Sequence, residues 1–105
     1  MIIEQIRYFL ADDSQSDLAA ERRRAVDGIR RRLGLSGGQI LVADPPMDDG
    51  PAMVWQCAYE DEQMLAVAET AIAGSSEYAT ARDRLSELVA NIEIELYTAQ
   101  EFGEV

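Results

Sequence analysis

Apolar and polar residues alternate along residues 2–10. Ile2, Ile6, Tyr8 and Leu10 share one face, interrupted by Glu4, while Ile3, Gln5, Arg7 and Phe9 share the other. That period of two predicts a strand. Asp12, Asp13 and Ser14 break the run, and Ser14 with Asp17 three positions on reads as a capped helix start. The period then lengthens. Leu18, Ala25, Val26, Ile29 and Leu33 form one stripe of a helix that stops at Gly34. Arg22 projects into the middle of this stripe. Its favoured reading is a long stem along the core with its head in water; the sharper one is a guanidinium aimed at a buried acid or an anionic ligand. Residues 38–44 make a second short strand, ended by Pro45 and Pro46, and residues 47–50 a loop.

The stretch PAMVWQCAYE, residues 51–60, is a third strand, and Asp61 and Glu62 open the next helix with negative charge at its positive end. Met64, Val67, Ala68, Ala71 and Ile72 are its expected inner face. Gly74, Ser75 and Ser76 interrupt it, either serine being able to cap a restart, and Tyr78, Ala81, Leu85, Leu88 and Val89 form the following stripe. Residues 91–98 close with Ile92, Ile94 and Leu96 alternating against Glu93, Glu95 and Tyr97. The order strand, helix, strand, strand, helix pair, strand is the split βαβ of an α+β, ferredoxin-like βαββαβ sandwich. Its four antiparallel strands run 4-1-3-2, with the helices on one side. One domain over residues 1–105 is expected.

Such a sandwich leaves one sheet face uncovered, and a solitary chain should make that face polar. The last strand conforms. The two central strands do not, since either setting of the third strand's pleat sends large apolar or aromatic groups away from the helices, beside Ile3 and Phe9. A homodimer through the open sheet face is therefore expected, forming a dimeric α/β barrel. Arg7, Gln5, Glu93 and Glu95 fall on that side, where Arg7 can pair across to Glu93 or Glu95.

Composition removes many chemistries. The 105 residues hold no histidine, one cysteine and a net charge of −11, and every basic residue is arginine. There is no triad with imidazole, no His-containing zinc site and no thiolate cage, so no metal and no cofactor is expected. The acidic balance argues against nucleic acid. The triplets at residues 22–24 and 30–32 read as a solvated helix face. Cys57 reads as a small buried hydrophobe. Glu4 and Arg7 interrupt any leader-like apolar run, and no stretch is long enough to span a bilayer, so a reducing cytoplasmic setting and no membrane partner are expected.

The opening MIIEQIRY (residues 1–8), Trp55-x-x-x-Tyr59-x-Asp61, Ser76-Glu-Tyr78 and the closing Ile92-Glu-Ile-Glu-Leu-Tyr97 resemble the NIPSNAP-like branch of the dimeric α/β-barrel proteins. The resemblance spans nearly the whole chain and implies the fold and the dimer. In that superfamily, enzymes work in the sheet–helix cleft or the barrel interior, several with histidines that this chain lacks; no catalytic position carries over. The expected function is a dimeric protein of unassigned activity that binds a small molecule in the barrel or the cleft. One alternative is a cofactor-independent oxygenase or isomerase acting on an aromatic or polyketide-like substrate. The other is an interaction module using the short second strand as its edge. Candidate ligand-binding residues are Arg7, Arg22, Trp55, Gln56, Tyr59, Glu93, Glu95 and Tyr97.

Overall fold

A computed structural model of the chain describes residues 1–45 and 48–99. Pro46 and Met47, expected to end the second strand and open the loop, lie outside the described residues. Strand β1 (Ile2–Leu10) leads through a 3-10 turn (Asp13–Gln15) into helix α1 (Ser16–Arg32). Strands β2 (Gln39–Val42) and β3 (Met53–Tyr59) follow, then α2 (Glu62–Ala73), α3 (Ser76–Ser86) and β4 (Val89–Thr98). The strands form one antiparallel sheet in the order β2-β3-β1-β4, the ferredoxin-like topology. No described helix is long and apolar enough to cross a membrane.

The breaks between elements have local causes. Asp61 caps α2 by accepting from Met64 N at 2.9 Å, and Ser75 caps α3 by accepting from Tyr78 N at 3.1 Å. The cap ahead of α1 is Asp12 rather than Ser14: it accepts from Ser14 N at 2.9 Å, and the Ser14 hydroxyl turns back to it at 2.7 Å. Gly34, at φ +82°, ends α1. The Leu35 and Gly34 amides return to the carbonyls of Arg30 and Arg31, each at 3.0 Å, closing a Schellman motif.

The pleat sorts the sheet into two unlike faces. Met53, Trp55, Cys57 and Tyr59 of β3 all point toward the helices and are buried there with Tyr8, Ala19, Ala20, Ala68 and Leu85. Only Val54, Gln56 and Ala58 remain on β3's outer side. The expectation that large aromatic groups of the third strand would face outward is thus corrected: one register satisfies every bulky residue of that strand under the helices. Ile3 and Phe9 of β1 do lie on the outer side. A second cluster, Val26, Ile29 and Tyr78, joins α1 to α3.

Two helix faces also differ from expectation. On α1 the buried residues are Ala19, Ala20, Arg23, Val26, Asp27, Ile29 and Arg30, while Ala25 and Leu33 are exposed. On α2 only Ala68 is fully buried. Met64 and Val67 stand exposed, and Leu65 packs inward instead.

Candidate functional site

Trp55 organises the space between α1 and the sheet. Its indole Nε1 donates to Asp27 Oδ1 at 3.1 Å, and the same oxygen accepts from Gly38 N at 2.9 Å. The backbone after α1 therefore lies against the indole. A Cβ on Gly38 would fall 2.2 Å from Trp55 Nε1, so only glycine fits that approach. One buried aspartate ties helix, loop and central strand together.

Two arginines of α1 lie over the same ring. The guanidinium carbons of Arg23 and Arg30 sit 4.0 and 4.9 Å from the Trp55 ring centroid, a cation–π arrangement. Arg23 is 2% exposed and Arg30 1%. They belong to the triplets read above as a solvated helix face, and that reading is corrected. Seven residues apart, they occupy the same side of the helix two turns on. The long stems pack as apolar groups would, while Trp55, Tyr8 and Tyr59 accommodate the heads.

The two arginines differ in how well they are satisfied. Arg30 donates from Nε to Ser36 O at 3.2 Å and from Nη2 to Tyr59 Oη at 3.2 Å, with Cys57 Sγ at 3.8 Å. Arg23 donates only from Nη1 to Tyr8 Oη at 3.3 Å; its Nε and Nη2 are buried without a partner among the described residues. Neither guanidinium has a carboxylate within 4 Å among the described residues, because the nearby acids are engaged elsewhere. Asp27 is bound to Trp55, Gly38 and Arg31, the last at 3.5 Å. Glu4 accepts from Tyr59 Oη at 2.9 Å. An unsatisfied buried donor costs on the order of 1–3 kcal/mol, more when charged.

The remaining interior groups are held neutral. Burial pushes the Cys57 thiol up, and it likewise pushes the Tyr59 phenol far up, helped by the Cys57 hydrogen bond and the Glu4 charge. Tyr8 is raised by burial too, against the pull of Arg23. Neither thiolate nor phenolate is poised here as a nucleophile. A hollow of about 400 Å³ opens beside Tyr59, lined by Leu35, Ser36, Glu60 and Met64 among others; Arg30 lies behind its wall, donating to Tyr59 and Ser36.

Trp55 and Tyr59 thus lie beneath the helices, whereas Arg7, Gln56, Glu93, Glu95 and Tyr97 lie on the open face. A single chain does not bring these groups together. On the open face Arg7 pairs with Glu95 and lies 3.8 Å from Glu93, and Tyr97 donates to Glu95, which raises the Tyr97 pKa. Gln39, Gln56, Gln5 and Glu95 stand in register across all four strands. The glutamines are chained: Gln5 Nε2 donates to Gln56 Oε1 at 3.4 Å, and Gln56 Nε2 to Gln39 Oε1 at 3.2 Å. Arg22 is in a third place. It donates to Arg84 O at 2.6 Å and Glu87 at 3.1 Å, beside a groove of about 460 Å³ between α1 and α3.

The residues missed at the sequence level are Glu4, Tyr8, Arg23, Asp27 and Arg30. Glu4 carried a signal, as the one charge interrupting an otherwise apolar strand face. Arg23, Asp27 and Arg30 had the helical spacing but the wrong polarity for a core stripe.

Solved structures share this architecture. The fold is ferredoxin-like. A NIPSNAP domain protein from Burkholderia xenovorans matches over 100% of both chains at 14% identity and TM-score 0.74. A dimeric ferredoxin-like protein from an uncultured marine organism matches over 99% of this chain and 92% of its own, at 14% identity and TM-score 0.70. A candidate antibiotic biosynthesis monooxygenase from Nitrosomonas europaea matches over 96% and 100%, at 18% identity and TM-score 0.67. No family model and no curated protein sequence matches the chain.

Proposed function

We propose that the protein is a single-domain homodimer whose sheets meet by their open faces, each protomer holding a small molecule between its sheet and α1. The observation that carries the ligand reading is the pair Arg23 and Arg30, buried on Trp55 with no carboxylate partner among the described residues. A core built only for stability does not need such groups, because well-packed apolar side chains of similar volume often serve there equally well. The hollow beside Tyr59 has in its wall Ser36 and Tyr59, both of which accept from Arg30.

The dimer reading rests on the open face. Its glutamine row offers donors and acceptors to a copy of itself, and Arg7 between Glu93 and Glu95 is self-complementary in charge. Ile3, Val54 and Phe9 are half-buried there by their own neighbours alone. A structural neighbour described as dimeric fits this arrangement.

A second reading, a cofactor-independent isomerase or oxygenase, is favoured by one contact. Glu4 accepts from Tyr59 beside the Arg30 guanidinium, where a carboxylate base and a cation can act on one enolisable substrate. A thermal-shift screen of small aromatic compounds, charged and neutral, tests the ligand reading. At least one compound is expected to raise the unfolding temperature with a saturable dose response; a screen without any such compound removes that reading. Sedimentation at micromolar concentration tests the dimer, a single-chain species being the contrary result.

A further inference from the structure

Among the described residues, Nε and Nη2 of Arg23 are without a partner, and they are not an arbitrary pair. Their N–H bonds run parallel along one edge of the guanidinium, the edge that receives both oxygens of a carboxylate in a bidentate contact. Nη1, on the other edge, is already committed to the Tyr8 hydroxyl at 3.3 Å. The cation's face is committed as well, stacked 4.0 Å from the Trp55 centroid. With one edge anchored and the face stacked, the guanidinium is fixed in orientation. What remains without a partner is a two-pronged donor sealed in the interior.

We infer that this edge binds the carboxylate of a small organic acid. The inference rests on the ligand-binding reading above and narrows it to one chemical class. The surroundings support a negative ligand. Arg30 brings a second positive charge to the same indole, at 4.9 Å. Glu4 and Asp27, the acids that would otherwise neutralise the pair, are held by Tyr59, Trp55, Gly38 and Arg31. Tyr8 and Tyr59 keep their protons, so neither phenol competes as an anion. Because the Nε and Nη2 atoms are sealed from solvent, binding waits on an opening of the helix layer, and association is slower than simple collision.

Trp55 is the only tryptophan, so its emission reports on the site without a label. The full-length protein is titrated with benzoate and, in parallel, with benzamide, which keeps the shape and loses the charge. Saturable quenching or shift of Trp55 emission is expected with benzoate, and binding weaker by about tenfold or more with benzamide. Arg23→Lys, which retains the charge without the fork, and Arg23→Gln are both expected to lose the benzoate response. Should a variant fail to fold, the benzoate–benzamide comparison on the unaltered protein still decides. Equal binding of the two compounds overturns the anionic class while leaving a small-molecule site standing. Undiminished benzoate binding by Arg23→Lys overturns the bidentate edge. A site occupied only by water responds to neither compound, and that result also overturns the inference; if the wider screen is silent too, the ligand reading falls with it.

Discussion

Gly38 and Asp27 show how little freedom the interior leaves. The Gly38 amide and the Trp55 indole share one Asp27 oxygen, and the glycine backbone lies flat against the ring. Gly38→Ala would place a methyl 2.2 Å from Trp55 Nε1. The indole cannot yield without leaving Asp27, so the substitution is expected to destabilise by about 1–3 kcal/mol, read by urea denaturation. A variant as stable as the parent would mean that the loop is free to move away. The neutral interior groups give a second expectation, in pH. Cys57, Tyr8 and Tyr59 have pKa values raised by burial, whereas in the unfolded chain they ionise near about 8.5 and about 10. Above those values the unfolded chain releases protons that the folded chain keeps, which favours unfolding. Their contribution is therefore fully present at neutral pH and lost as pH rises from about 8.5 upward. The urea midpoint at about pH 7, 9 and 10.5 checks this, and a midpoint constant over that range would contradict it.

At the scale of elements, α1 is the unusual piece. Its Schellman ending at Gly34 fixes where the chain turns toward Leu35 and the glycine pair, and hence where Gly38 meets Trp55. Gly34→Ala forces a Cβ into the left-handed region and is expected to cost about 1–2 kcal/mol by thermal or urea unfolding, with no neighbour to clash. The helix breaks and most strand boundaries were legible in the sequence, because alternation, Asp61, Ser75 and Gly34 each carry a local signal; the passage from α3 to β4 was not, since Leu88 and Val89 continue the apolar stripe of the helix although α3 ends at Ser86 and Val89 opens β4. The face that α1 buries was legible only in part. Hydropathy places the stripe on Leu18, Ala25, Val26, Ile29 and Leu33, of which Val26 and Ile29 are buried, but Trp55, a distant residue, makes Arg23 and Arg30 better neighbours for the sheet than any local rule can register. The candidate site was half legible for the same reason. Trp55 and Tyr59 stand out by residue type, and their arginine partners are concealed in runs that look solvated. The alternation on β4 was readable, yet its consequence was not: Ile92, Ile94 and Leu96 lie on the helix side of the pleat and are still exposed, Ile94 at 61%, because the helices stop short of this edge.

The whole molecule is a slab, with Cα extents of 44 × 39 × 17 Å, layered on one side only. Its polarity is inverted relative to a simple two-layer sandwich. Cations enter the covered interior, and apolar groups remain on the uncovered sheet face and along β4. On the function proposed above, a second copy covers the open sheet face and a ligand satisfies the interior, whereas the apolar groups along β4, on the helix side of the pleat, lie outside that contact. The interior half of this account is the central one, since it requires that the buried arginine is kept at a cost in stability. Urea unfolding of Arg23→Met against the parent protein, at equal concentration and without ligand, tests it most directly. The methionine keeps an apolar stem over Trp55 and removes the two unpartnered donors, so a midpoint equal or higher is expected, a gain of about 1 kcal/mol at unchanged slope. A loss of about 3 kcal/mol or more would show Arg23 to be a structural element of the core, and would contradict the account.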